Sequence, residues 1–301
     1  MDKGRKQSMS GAADSSSVNI DNPVKRLFSQ VRWGEYSLVA LAISVLSGIV
    51  LSLQYDPAVP FYSVSSIDVL VPFGLFWRSL HFYSSQFFFL LSLLHFIAIL
   101  GHSRLQSLAV KKWLYLVFSL LVALLLLFTG YVLRADATGE SAGIIAENII
   151  LSIPLAGAWL NSLLFSLDAD GVKRVYANHL IGLSILWGVL CWDHLRRFRI
   201  SLKENSAFVL GIFVVSLIWN APMEPEKLGV FHISGPWFFL GLQELLRYVQ
   251  PFWAGVVFPL TFFLSLFFLR QKNEWGTRSR YFSLFWLAVY SLLTLAALMR
   301  S

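Results

Sequence analysis

Apolar residues in this chain do not alternate with polar ones; they lie in long uninterrupted runs, and nothing else in the sequence narrows the fold as much. Crossing about 30 Å of hydrocarbon takes roughly 20 apolar residues at about 1.5 Å rise each. Seven runs reach or approach that length, over 35–53, 79–101, 113–133, 177–195, 206–221, 251–269 and 281–299. The fifth is the shortest and runs into Asn220 and Pro222. Backbone groups in lipid must satisfy one another, so the runs predict an all-α integral membrane protein of about seven transmembrane helices. An apolar content of 56% agrees with that class.

Positive loops stay cytoplasmic, which makes the placement of Lys and Arg a topology signal. The N-terminal tail and the second, fourth and sixth connections hold 17 of the 24 basic residues. This predicts a cytoplasmic N-terminus in a multi-pass protein, read as one of a bacterial inner (plasma) membrane. The pI of about 9.6 follows from the same loops and argues for no nucleic-acid partner. The single cysteine, Cys191, lies inside an apolar run, so the chain carries no disulfide, no iron–sulfur cluster and no CxxCH haem attachment. Residues 1–22 are polar and Ser-rich and are expected to be disordered, and the first apolar run is too long for a signal peptide. Residues 22–33 read as a short amphipathic helix on the cytoplasmic interface. The far-side connections 134–176 and 222–250 hold apolar stretches too short to span, predicted as short surface helices: two joined around Pro154 and another from Pro236.

Four histidines stand out against this background. His81 and His95 share the second run, His179 and His194 the fourth, at spacings of 14 and 15 residues. Each pair is thus separated by roughly 21 to 23 Å along its helix, with one ring near each membrane face. Fourteen residues return to nearly the same helix face, whereas fifteen overshoot by about 60°, so the fourth helix must tilt or carry a local irregularity. Such side chains inside spanning helices are costly and usually functional. Any one of them also fits a hydrogen-bonded polar group between helices. Four at matched depths instead imply two stacked sites, His81 with His179 on the far side and His95 with His194 on the cytoplasmic side. Bis-histidine ligation closes both axial positions of a haem iron, which suits electron transfer.

Arg78 and Arg174 precede His81 and His179 at the far-side rim, where haem propionates would need neutralising, although interfacial arginines that merely snorkel look the same. On the cytoplasmic side Arg104, Arg196 and Arg197 could serve likewise, but loop orientation already explains them. Gly34 and Gly48 on the first helix repeat the 14-residue rise, and Gly130 lies near the far end of the third. Glycine admits a flat ring close to the backbone, and also ordinary close helix packing.

On these residues the sequence resembles cytochrome b of the bc-type quinol oxidoreductases, including the form split into two polypeptides, over nearly the whole chain after residue 23. The matching stretches are WGEYSLVALAISVLSGIVLSLQYDP from Trp33, WRSLH ending at His81, TGYVL from Thr129, ENIILSIP from Glu147 and RVYANH ending at His179. The 15-residue spacing in the fourth helix is closer to the split form. The resemblance implies a di-haem four-helix bundle over 23–203 followed by a three-helix quinol-site part over 204–301. It implies two non-covalent haem b groups, one at His81 and His179 with Arg78, Arg174, Gly48 and Gly130, the other at His95 and His194 with Gly34. Quinone and quinol would be the substrate, and electrons would pass between quinone and the two haems across the membrane.

Departures from the family pattern matter as well. A Pro-Glu-Trp-Tyr motif normally supplies a proton acceptor at the far-side quinol site, and here Gly235, Pro236, Trp237 and Phe238 fill those places. Glu244 is the first substitute candidate and Glu147 the second; either also reads as a solvated loop carboxylate. The family's Pro-Trp after the third helix is replaced by Arg134 and Ala135, and Leu116 stands where a fourth glycine would pack. No cysteine lies near the start of the first helix, so the split form's extra covalent haem is not expected. By analogy the chain works within a complex, with a multihaem cytochrome c and/or a Rieske iron-sulfur subunit, the former favoured, as a homodimer in lipid. Two alternatives stay open: a haem b quinone-linked anchor of a periplasmic oxidoreductase without bifurcation, and a non-redox proton-coupled transporter.

Overall fold

A computed structural model of the chain describes residues 31–100, 108–165, 171–198, 200–226 and 233–300. The expected disordered tail at 1–22, nearly all of the interfacial helix at 22–33, and Arg104 lie outside the described residues. The compact unit from Trp33 onward is helical, with no strand among the described residues. Its helices are α1 (Trp33–Ser52), α2 (Pro60–Leu70), α3 (Gly74–Leu100), α4 (Val110–Val132), α5 (Ala137–Leu151), α6 (Gly157–Leu164), α7 (Gly171–Leu195), α8 (Ser206–Ile218), α9 (Leu240–Leu245), α10 (Phe252–Phe268) and α11 (Glu274–Leu298).

Five of them, α1, α3, α4, α7 and α11, are long and apolar enough to cross a membrane, and α8 and α10 are shorter apolar helices. These seven coincide with the seven apolar runs, although α3, α7 and α11 start several residues earlier, at Gly74, Gly171 and Glu274. The short helices α5, α6 and α9 occupy the two long connections where surface helices were expected, but α9 begins only at Leu240.

Lipid supplies no hydrophobic drive between helices, so close packing depends on small residues. α1 lies along α3 through a buried stripe of Ser37, Ala40, Ser44 and Ser47, where Ser37 meets Phe88 O and Ser92, and Ser44 and Ser47 meet His81. Each buried hydroxyl needs a partner: Ser37 Oγ meets Ser92 Oγ at 2.7 Å, Ser47 donates to Ile43 O at 2.8 Å and Ser84 to Leu80 O at 2.6 Å. Val39, Ile43, Leu80, Phe88, Phe89, Ala123, Leu127 and Ile212 close the core between α1, α3, α4 and α8. α4 packs along α7, completing a four-helix arrangement with two histidine-bearing members.

The C-terminal part is joined by aromatic stacking. Trp286 of α11 lies 4.6 Å from both Phe258 and Phe262 of α10, and Tyr290 stacks on Trp286 at 5.1 Å. α5 and α6 form a hairpin whose turn holds Leu155 at φ 63, right after Pro154. Gly157 must be glycine there, since a Cβ would stand 2.6 Å from Ile150 O.

Candidate functional site

The two helices bring their histidines together pairwise at the matched depths the spacing required. The ring centroids of His81 and His179 are 6.3 Å apart, and those of His95 and His194 are 6.1 Å apart. An ion held axially by two imidazoles through bonds of about 2 Å keeps their centroids roughly 6 Å apart, so each pair is spaced for one ion between the rings. Distal hydrogen bonds orient such ligands and fix their tautomer. His81 Nδ1 lies 2.8 Å from Ser44 O, and His179 Nδ1 lies 2.9 Å from Thr129 Oγ1, which leaves Nε2 of each ring for a metal. His95 and His194 have no ring hydrogen bond among the described residues; His194 lies instead against Phe198, with centroids 5.1 Å apart.

The 15-residue spacing is reconciled by a π-turn over Asn178–Gly182, starting one residue before His179. A π-turn absorbs one extra residue, so His194 returns to the face it would occupy at a spacing of fourteen. Ser184 Oγ donates to His179 O, five residues back, at 2.8 Å and so satisfies a carbonyl in the widened turn.

Three glycines complete the cradles. A Cβ on Gly34 would stand 2.9 Å from His95 Cε1, one on Gly48 2.8 Å from His81 Cε1, and one on Gly130 3.0 Å from His179 Cε1. Their helices thus approach the imidazole edges closely at these three glycines. Leu116, in the fourth place, is half-buried. Paired imidazoles, apolar walls and cradles that a Cβ would fill are a donor set that fits haem, which His81, His179, His95 and His194 would hold.

At the rims the structure is less permissive. Arg78 is buried, its Nε 2.6 Å from Asp68 Oδ1, and it donates to Ala221 O at 2.9 Å and Pro222 O at 3.2 Å. All three of its nitrogens are thus engaged within the protein, which makes it a clamp between α2 and the segment after α8. Arg174 is half-buried and has no hydrogen bond to a described residue.

The second long connection meets the end of α4 and α5 directly. Phe239 lies 5.3 Å from Phe128, and Phe238 packs into the same cluster with Val132, Leu133 and Ala142. Trp237 donates from Nε1 to Gln86 at 2.9 Å, and Tyr290 donates to Phe238 O at 2.6 Å. Glu244 is 2% exposed and holds Arg247 at 3.2 Å, Arg300 at 3.3 Å and the Tyr248 hydroxyl at 2.9 Å. It is therefore no solvated loop carboxylate. Glu147 is half-buried and accepts from Asn161 Nδ2 at 2.7 Å.

Several polar groups had no signal in the sequence. Asp136 is fully buried, caps α5 through Gly139 N at 2.8 Å and receives Arg134 at 2.6 Å, Thr138 at 3.0 Å and Glu224 N at 2.9 Å. The Arg134 guanidinium also lies over the Tyr131 ring at 4.3 Å. Burial, with Tyr176 and Asp56 alongside, pushes the Tyr55 hydroxyl well above its ordinary pKa, and it stays a donor to Leu133 O at 2.9 Å. At the opposite end Asn205, 3% exposed, donates to Glu35 at 2.7 Å, while its own Oδ1 is buried with no hydrogen-bond partner among the described residues. Glu35 directly follows the glycine that faces His95, and a glutamate at the very start of an apolar run was the one available hint.

Comparison with known proteins bears on this arrangement. The family model Cytochrome b/b6/petB matches residues 20–202. A cytochrome b of Cyanidium caldarium is 25% identical over 297 residues, covering 85% of this chain and 77% of that protein. A cytochrome b6 of Heliobacterium mobile is 28% identical over 158 residues, covering 51% of this chain and 74% of that protein. Among solved structures, a chain of a hyperthermophilic respiratory Complex III superposes with a TM-score of 0.64 at 22% identity, covering 87% of this chain and 83% of that one.

Proposed function

The chain belongs to the cytochrome b/b6 family, and from that premise we propose that it is the di-haem subunit of a membrane quinol oxidoreductase, active only within a complex. One observation carries the reading: two histidine pairs at 6.3 and 6.1 Å, stacked along the same two helices. Each pair would hold one haem b, which supplies reversible one-electron transfer when bound. The positive loops support a cytoplasmic N-terminus in a bacterial inner membrane, with the His81 end on the far side.

At that end quinol would bind beside Pro236, Trp237 and Phe238, with Trp237 against α3 and Phe238 in the cluster with α4 and α5, giving up two electrons and two protons. Apolar walls from Phe128, Phe239 and Ala142 support exclusion of water there. Glu244 is the nearer candidate for the proton in sequence, with Glu147 across the interface second. At the cytoplasmic end Glu35 and the unpartnered Asn205 Oδ1 are the polar groups suited to a quinone oxygen and its proton. Arg174, with its guanidinium uncommitted among the described residues, suits a propionate better than the clamped Arg78.

The division into a haem-bearing part over 23–203 and a quinol-site part over 204–301 is part of the same proposal. Electrons leave through another subunit, a multihaem cytochrome c before a Rieske iron-sulfur protein, since Arg134 and Ala135 alter the far-side surface. A homodimer of the complex is proposed by analogy. A second reading, a haem b quinone-linked anchor without bifurcation, is favoured by one observation: Glu244 is already held by two arginines. Adding a quinol to the oxidised complex is expected to reduce b haem, and the reading is wrong if it does not. An oxidant pulse with the cytoplasmic quinone site inhibited separates the two versions, because only bifurcation leaves b haem transiently reduced.

A further inference from the structure

The shortest side-chain contact to any of the four imidazoles at Nδ1 is that of Thr129 with His179. Thr129 Oγ1 lies 2.9 Å from His179 Nδ1 and is 4% exposed. A hydroxyl has a single hydrogen, and Leu125 O at 2.8 Å and Leu126 O at 3.1 Å are its acceptors. The oxygen's lone pairs therefore face the ring, and His179 Nδ1–H donates to Thr129. His81 is held chiefly by the backbone carbonyl of Ser44 at 2.8 Å, which no substitution removes, with Ser47 Oγ farther off at 3.5 Å, and His95 and His194 have no such partner among the described residues.

We propose that Thr129 is a positioning residue that fixes the orientation and electron donation of His179, and so sets the potential of the haem at the His81–His179 end independently of the other haem. The proposal rests on the di-haem reading above. A ligand whose distal N–H donates to an acceptor gains basicity, which favours the ferric iron and lowers the potential. Without the Thr129 oxygen, the buried N–H is left with the Leu126 carbonyl alone and the ring loses its side-chain anchor. Gly130, next to Thr129, packs against the same ring at 3.0 Å from where its Cβ would be, so the two residues define one side of the His179 site.

The test is a redox titration of the haem-loaded full chain in its membranes, with low-temperature EPR of the ferric haems, on wild type, Thr129→Val and Thr129→Ser. The haem in question is assigned as the one lost in His81→Leu. Thr129→Val keeps the shape and removes the acceptor. It is expected to raise that haem's midpoint, leave the other unmoved and shift the same haem's EPR signal as the ligand planes reorient. Thr129→Ser keeps the acceptor and is expected to match wild type. Loss of that haem in Thr129→Val with a wild-type Thr129→Ser also supports the role. Unmoved midpoints in Thr129→Val, equal movement of both haems, or a Thr129→Ser effect as large as that of Thr129→Val overturns it. Wild type with no haem at all sinks the di-haem reading itself, a distinct outcome.

Discussion

The two ends of the histidine bundle use the same ligands with different degrees of preorganisation. At the His81–His179 end both rings are anchored at Nδ1, and each faces a glycine, Gly48 or Gly130. At the His95–His194 end only His95 faces a glycine, Gly34, neither ring is anchored through a described residue, and Leu116 takes the fourth glycine's place. One end holds both rings through Nδ1; the other shows no such anchor among the described residues. Orientation costs little at the moment of electron transfer when it is fixed beforehand, so the difference bears on potentials and on tolerance to substitution.

Ligand removal tests the comparison most severely. His179→Leu is expected to abolish one haem of two and retain the other, and His194→Leu to do the reverse, read by pyridine haemochromogen content per chain. Loss of both haems from either variant would mean that the ends are not independent sites. Next in size is Asp136→Ala, which strands a buried Arg134 and uncaps α5 beside the His81 end. Breaking a buried pair of this kind costs about 3–5 kcal/mol. The His81-end haem should then bleach first on heating, at a temperature below wild type, whereas bleaching of both together would contradict a local role.

Glycine substitutions sharpen the contrast. A Cβ at Gly48 or Gly34 meets a ring at 2.8 or 2.9 Å, so the raw clash is the same. Overpacking of this order costs about 1–3 kcal/mol where nothing can yield. Gly48→Ala presses on an anchored ring and should weaken that haem roughly tenfold or more, taking about 1.4 kcal/mol as tenfold. Gly34→Ala presses on a ring with no Nδ1 anchor among the described residues and should cost less, as measured by haem retention on dilution. The smallest effect expected is Glu244→Gln, a several-fold slower quinol-driven haem reduction with both haems retained; an unchanged rate would pass the proton role to Glu147.

Much of this was legible in the residues and some was not, for a physical reason. Apolar run length fixes the spanning helices because lipid leaves few alternatives, and the fifteen-residue interval announced an irregularity that the π-turn over Asn178–Gly182 supplies. Gly34 and Gly48 stood out by their spacing, since helical rise is local, and Gly130 by its place near the end of its helix. Thr129 looked like any threonine bonding back to its own helix, and its second role depends on α7 lying alongside. Ser44 acts through its carbonyl, which every residue possesses. Arg78 gave a rim position, while its attachment to Asp68, Ala221 and Pro222 depends on how distant segments fold back. The Glu35–Asn205 contact joins residues 170 apart, and no local pattern encodes it.

The measurement that bears most directly on the whole account is the haem stoichiometry of the purified chain, taken with its dithionite-minus-oxidised spectrum. Two b-type haems per chain, each lost separately with its own histidine pair, are the predicted result. A colourless protein, or a single haem that survives removal of either pair, would contradict it.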